Sequence, residues 1–324
     1  MKKSIIFILI FQVTGLYSSP TDIMADASGY GFGGAYCAIS EGPSSVYWNP
    51  SGIAATKYLS VMENNWILQD VRDINVNFII ITVPIPKIGV ASGSWMMTKA
   101  NLEEGWNENT NGALSTSSAY ENIFSLSFSR QLWDELLIFS QTSVGLNINR
   151  FTLIAENGGG AGLGFDIGIR TNFPLGFCFG FTAKNLATEI MDAKVDPELR
   201  LGIGYNYLIK NMHRIKVGLD ALIKKNRDYK KYSNLEPAQY NKKAFGGLEY
   251  SLVLEKFSIS VRGGANQSLY DTYNRINYAF GIGVNILGHS IDYAFSDATD
   301  TDFSIGKGHR ISLLLSIGKF FENK

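Results

Sequence analysis

The chain is poor in cysteine, poor in histidine and has no excess of charge of either sign. Cys37 and Cys178 are its only cysteines and sit far apart in unrelated contexts, too few for a disulfide-built secreted scaffold. Basic and acidic residues balance at 29 each, so nothing in the composition draws the surface to phosphates, and no nucleic-acid partner is expected. The three histidines, His213, His289 and His309, are scattered and share the parity of apolar neighbours, which makes a poor metal set or catalytic triad. No serine occupies a nucleophile elbow. No catalytic residue, metal or cofactor is therefore expected, and the chain is read as a non-enzyme. Long apolar runs are also missing. The run at 5–11 is too short to span a bilayer, and no later stretch offers the ~18 apolar residues of a membrane helix, which excludes a helical membrane protein.

What the chain does have is glycine, aromatic residues and alternation. Between Arg275 and Ile286, the residues Ile276, Tyr278, Phe280, Ile282, Val284 and Ile286 are apolar, while Asn277, Ala279, Gly281, Gly283 and Asn285 are small or polar. This is a strand with one greasy and one narrow or wet face. The same pattern recurs near 58–65, 71–83, 87–98, 121–131, 136–149, 161–171, 174–186, 197–208, 212–223, 244–253, 256–266, 275–286, 289–296 and 307–319, an even number of segments. Tilted strands of about 9–11 residues cross a hydrocarbon layer, so the pattern predicts an all-β transmembrane antiparallel barrel of about 14 strands. Alternation alone also fits a secreted β-sandwich. The links add a second signal: those at 84–86, 132–135, 172–173, 209–211, 254–255 and 287–288 are tight, while those at 99–120, 152–160, 187–196, 224–243, 267–274 and 297–306 are longer. Outer-membrane barrels have short periplasmic turns and long outer loops, which places both termini in the periplasm. The first residues, with Lys2 and Lys3 before the apolar run, read as a signal peptide over 1–18.

Parity assigns the faces. Leu199, Leu201 and Ile203 should meet lipid, whereas Asp166, Arg170, Arg200, Asp220, Glu249, Lys256, Arg262 and Asp292 should face the lumen as a mixed-sign, paired network. Residues 22–57 do not alternate. They are rich in glycine and aromatics and too poor in charge for a comfortable disordered tail, so 19–57 is read as a plug, or hatch, in a lumen wide enough to need filling, with the barrel wall over 58–324. The run Gly29-Tyr30-Gly31-Phe32-Gly33-Gly34 has no strand before it and so is no dinucleotide fingerprint.

The glycine-rich run followed by Val46-Tyr47-Trp48-Asn49-Pro50-Ser51-Gly52-Ile53-Ala54 resembles the N-terminal hatch of the PorV/PorQ-type barrels, a branch of the FadL-like long-chain fatty-acid transporter superfamily. Phrases such as Leu199-Arg200-Leu201-Gly202, Val261-Arg262-Gly263-Gly264 and Gly308-His309-Arg310-Ile311 are similar to the same group. One departure is Asn-Pro-Ser-Gly where such hatches usually read Asn-Pro-Ala-Gly. The resemblance implies a fourteen-stranded barrel, a hatch whose motif is Tyr47, Trp48, Asn49, Pro50, Ser51 and Gly52, and a hydrophobic ligand leaving through a gap in the wall. On that reading, hydrophobic small molecules, with long-chain fatty acids foremost, contact Phe32, Tyr36, Ile39 and Trp48. Gly89 and Gly93 in an imperfectly alternating third strand are the candidates for the lateral opening. The expected surroundings are outer-membrane lipid. The alternative is a PorV-like barrel that docks or shuttles secretion-system (type IX) proteins through the loops at 99–120 and 224–243. Apart from the family, Asn and Ser close local side-chain bonds, Pro fixes φ and Gly admits a tight turn, so the motif reads first as a rigid bend.

Overall fold

The computed structural model describes residues 26–68, 74–103, 116–133, 141–155, 158–190, 193–225, 240–269, 276–297 and 308–318. The signal peptide expected over 1–18 lies outside them, as do the middles of the two loops proposed for docking. Two short helices, α1 (Ala27–Gly31) and α2 (Ser45–Trp48), and a 3₁₀ turn (Pro50–Ala55) precede the strands. The strands are β1 (Ser60–Leu68), β2 (Ile74–Ile85), β3 (Gly89–Glu103), β4 (Thr116–Trp133), β5 (Gln141–Ala155), β6 (Gly158–Asn172) and β7 (Phe177–Ile190) in the first half. They continue as β8 (Glu198–Ile209), β9 (His213–Lys225), β10 (Tyr240–Val253), β11 (Phe257–Ser268), β12 (Ile276–Ile286), β13 (His289–Ser296) and β14 (Gly308–Ser316). A two-residue piece, Ala193–Lys194, folds back on the end of β7.

Each strand pairs antiparallel with its neighbours, and β1 pairs with β14 from Ser60↔Ser316 to Leu68↔Gly308, so the fourteen strands close into a barrel with no free edge. The alternation has the expected sense: Phe280 is 62% exposed and its neighbour Ala279 1%. Ile276, Tyr278, Ile282, Leu199, Leu201, Ile203, Ile311 and Leu313 lie exposed on the same outer face. A continuous apolar exterior on a closed sheet is the surface that lipid covers. No helix among the described residues is long and apolar enough to cross a membrane.

Three details differ from the sequence reading. Lys256 sits exposed in the turn between β10 and β11, not in the lumen, because β10 ends at Val253 and the chain reverses before the lysine. The described residues of the expected loop at 152–160 are strand: β5 and β6 stay paired from Thr152↔Ala161 out to Ala155↔Gly158. Its glycines carry no side chains, so a ladder held by backbone bonds leaves no alternation to read. The tight link expected at 132–135 lies partly outside the described residues, which run to Trp133 in β4 and resume at Gln141 in β5. Finally, the irregular strand is β7, not the third: Leu163↔Glu189, Phe165↔Leu186 and Ile167↔Ala183 show β7 advancing three residues for two on β6, twice. Asn185 and Ala187 take positive φ there, at 58° and 49°, as a double bulge requires.

Candidate functional site

The N-terminal segment 26–56 packs against the inward face of the wall, and its bonds can be followed in chain order. Asp26 caps α1, accepting from Gly29 N at 3.3 Å and Ser28 Oγ at 2.7 Å, and also accepts from Trp48 Nε1, which ties the start of the segment to α2. Ala27 N donates to Ser312 Oγ of β14 at 2.8 Å, and Cys37 N to Asp220 Oδ2 of β9 at 2.9 Å. Arg200 donates to Gly34 O, and Arg170 Nε to Ala38 O at 2.8 Å.

The motif residues form one joint. Asn49 donates through Nδ2 to Cys37 O at 2.9 Å and to Ile169 O of β6 at 3.1 Å, while its Oδ1 accepts from Ser51 N at 3.2 Å and Ser51 Oγ at 2.6 Å. Pro50 opens the 3₁₀ turn, where a missing N–H costs nothing. Gly52 packs so closely on Ser40 O and the Ser45 side chain that a Cβ would collide. Tyr47 lies edge-on to Trp48 at 4.9 Å, and its ring receives Lys184 Nζ at 4.0 Å.

The wall is shaped to accept this segment. On eight consecutive strands, β5 to β12, an inward glycine (Gly145, Gly168, Gly180, Gly202, Gly218, Gly247, Gly264, Gly281) stands where a Cβ would strike residues 31–51 of the segment. The sequence shows these as part of an abundance of glycine. Their alignment into one arc depends on register and could not be read from the pattern.

Phe32, Tyr36, Ile39 and Trp48, the expected ligand contacts, are all buried in a core shared by the segment and the wall, with Cys178, Leu222 and Phe245. Phe32 lies on Gly247 and Gly264, and Ile39 on Gly204. Their packing is complete without a ligand. Gly93 shares the outward parity of Trp95, and β3 is paired without interruption to β2 and β4, so neither Gly89 nor Gly93 marks an opening in the wall. Gly89 instead borders an open depression of about 290 Å³ at the tight-turn end, beside Ala54 and Ile88.

The inner face has two chemically different halves. On the β6–β13 side the charges pair: Arg170–Glu41 at 2.6 Å, Arg200–Asp220 at 2.9 Å, Lys216–Glu249 at 3.2 Å, and Arg262 with Glu249 and with Asp292, the last at 2.5 Å. Burial raises the Glu41 carboxyl, but Arg170 and Lys216 outweigh it and hold Glu41 below the usual carboxylate range. Burial, reinforced by Asp220, pushes the Cys37 thiol up to about 12 and the Tyr36 phenol upward as well, so both stay neutral. On the β1–β5 side an apolar cluster of Met62, Trp66, Val76, Phe78, Ile80, Met96, Ile123 and Phe151, joined by Val46 and Ile53 of the segment, lies among buried hydroxyls and amides such as Asn64, Thr82, Ser94, Ser127 and Asn149.

Where the halves meet, a cavity of about 40 Å³ lies among Val46, Phe78, Met96, Ile123, Phe151, Asp166 and Lys184. Asp166, which accepts from Asn147, Asn149 and the bulge N–H of Asn185 at 2.8–3.0 Å, forms the side of this cavity next to the β7 bulge. The histidines lie elsewhere: His213 and His309 bond Tyr250 and Tyr293 on the outer surface.

No protein-family model matches the chain, and no curated protein does. Solved structures do. A FadL homologue of Pseudomonas aeruginosa is 12% identical with a TM-score of 0.52, covering 90% of this chain and 97% of that one. The CymD monoaromatic hydrocarbon channel is 8% identical with a TM-score of 0.55, over 90% and 96%. The Pseudomonas putida toluene transporter TodX is 9% identical with a TM-score of 0.53, over 89% and 96%. At these identities the likeness is one of fold: the chain is built as a FadL-like barrel. None of the three bears the PorV name, so the narrower branch of the resemblance has no support from them.

Proposed function

We propose, for a chain built as a FadL-like barrel, passive transport of small hydrophobic molecules across the outer membrane, with long-chain fatty acids as the substrate class and segment 26–56 as the hatch. The observation that carries this is the apolar cluster on the inner face of β1–β5, which meets the doubly bulged β7 at the cavity beside Asp166. Each methylene moved from water onto such a lining gains about 0.8 kcal/mol, so a chain of several carbons is held without any specific contact. A cavity of about 40 Å³ cannot hold that chain, whereas ligand sites span roughly 300–1,000 Å³. The hatch must therefore shift before a ligand passes. The ladder is weakest at the bulge between β6 and β7, and we assign the lateral exit there rather than to the third strand. Both termini face the periplasm in this reading.

Two of the similar structures are a toluene transporter and a monoaromatic hydrocarbon channel, which makes aromatic hydrocarbons the second substrate class to test. No observation among the described residues favours docking of secretion proteins. The test is uptake of oleate and of toluene by vesicles holding the purified barrel, with the hatch free or tethered. Thr182→Cys offers the tether: the Thr182 Oγ1 that it replaces lies 3.2 Å from Cys37 Sγ, within a small side-chain rotation of the ~2.05 Å of an S–S bond. Uptake that stops when the disulfide forms and returns on reduction is expected. Equal entry in both states removes the hatch from the mechanism.

A further inference from the structure

The transport reading leaves open how the polar end of a ligand would be recognised, and one residue of the wall is unexplained by packing. Arg310 of β14 faces inward and is 3% exposed. Three other inward guanidiniums, those of Arg170, Arg200 and Arg262, each hold a carboxylate. Arg310 is different: its Nε and Nη1 have no hydrogen-bond partner among the described residues. The acid of the segment nearest in sequence to Tyr30, Asp26, is committed to Ser28, Gly29 and Trp48. Glu63 of the adjoining β1 has the opposite parity and is exposed on the outer face.

The guanidinium lies instead against rings, 3.6 Å from the centroid of Tyr30 and 4.2 Å from that of Trp66. Ring contacts return only part of what it costs to bury a guanidinium with two of its three nitrogens unbonded. Beside it, Trp66 Nε1 and both polar atoms of Asn64 are buried and unbonded too. Register explains the grouping: Trp66 stands opposite Arg310, and Asn64 is two residues along the same face. The cluster has a surplus of N–H donors over acceptors, the complement of a small oxyanion. Trp66 also stands opposite Val76 and belongs to the apolar cluster that continues through Phe78, Met96, Ile123 and Phe151.

We infer that Arg310, with Trp66 Nε1 and Asn64, is the head-group site for a monoanionic amphiphile, a carboxylate whose tail lies along the apolar cluster that runs from Trp66 through Phe78 and Met96 to Phe151. This rests on the transport reading and makes the barrel a discriminating one: it holds fatty acids more tightly than neutral hydrocarbons of equal length. Because Tyr30 belongs to the segment proposed as hatch, a carboxylate drawing Arg310 toward itself also acts on that segment.

The experiment is equilibrium binding of radiolabelled decanoate and of decanol to the full chain in neutral-lipid nanodiscs, comparing the parent with Arg310→Met, Arg310→Lys and Asp22→Asn. Loss of a charge-assisted pair should weaken decanoate by roughly 10- to 100-fold in Arg310→Met. Decanol should change less than threefold, and Arg310→Lys should fall between. Heat-modifiable migration checks that each barrel is folded, and if Arg310→Met does not fold, Arg310→Lys and Trp66→Phe carry the comparison. Equal effects on both ligands, or on neither, overturn the head-group site while leaving transport standing. A parent that binds neither ligand overturns the transport reading itself. An Asp22→Asn chain that loosens the segment as Arg310→Met does, with decanoate binding unchanged in both, gives Arg310 to the chain's own Asp22 and also overturns the proposal.

Discussion

Replacing Asn49 with alanine should release the N-terminal segment while leaving the barrel intact. Asn49 makes four buried hydrogen bonds, two donated to Cys37 O and Ile169 O and two accepted from Ser51. A buried group left without its partner costs about 1–3 kcal/mol. Both carbonyls have a second lone pair and Ser51 can reorient, so the low end of about 1 kcal/mol applies to each of the four groups and the sum is about 4 kcal/mol. That corresponds to a roughly 900-fold increase in the population of undocked segment.

Cys37 reports it directly. Its thiol is fully buried in the docked state and pushed up to about 12, so a thiol reagent at neutral pH reacts only with the undocked form. In a Cys178→Ala background, labelling of Asn49→Ala should be faster than the parent by about three orders of magnitude. The strands should remain paired, as judged by heat-modifiable migration. A labelling rate within threefold of the parent, in a folded barrel, would refute the view that the Asn-Pro-Ser-Gly joint holds the segment.

Acid should loosen the same segment through Glu41. Its carboxyl lies below the ordinary value, about 4.3, so the Arg170–Glu41 pair contributes docking stability that is complete above that value and lost as pH falls through the lower, docked-state one. Amide exchange of 26–56, corrected for intrinsic rates, should accelerate between pH 5 and pH 3, and Glu41→Gln should flatten that dependence. Gly247→Val puts side-chain atoms into the Phe32 ring and carbonyl. It should expel the segment from that stretch of wall and raise passive uptake of a hydrophobic solute in vesicles, whereas Gly93→Val, with nothing within 4 Å of its Cβ, should change neither. Arg262→Met leaves Glu249 and Asp292 with only Lys216 between them and should cost about 3–5 kcal/mol in urea unfolding from lipid vesicles.

The fold was legible because a membrane wall imposes period-two alternation over a fixed length, and each strand such as Ile276–Ile286 carries that constraint in its own residues. The joint at Asn49 was legible for a similar reason: Asn, Pro, Ser and Gly in sequence close their bonds within a few residues of one another. The fate of Phe32, Tyr36, Ile39 and Trp48 was not, since an apolar side chain in a segment has no mark that tells a ligand contact from a packing contact. Nor was the irregular wall strand legible: Gly89 and Gly93 looked permissive, yet β3 is regular, and the bulge falls on Lys184 to Thr188, where polar residues bury themselves against Asp166.

By itself the sequence determined a closed sheet with a greasy outside, a charged and glycine-lined inside, and a non-alternating leader that needs a place to pack. These are properties of residue order along a strand, fixed by the pleat and by the cost of charge in lipid. Only the tertiary structure decided which inward residues meet. Register set eight glycines under one segment, paired three guanidiniums with carboxylates, and left Arg310 against two rings with Nε and Nη1 unbonded among the described residues. Contacts across a barrel join residues far apart in the chain, and a shift of the ladder by one residue exchanges the whole set.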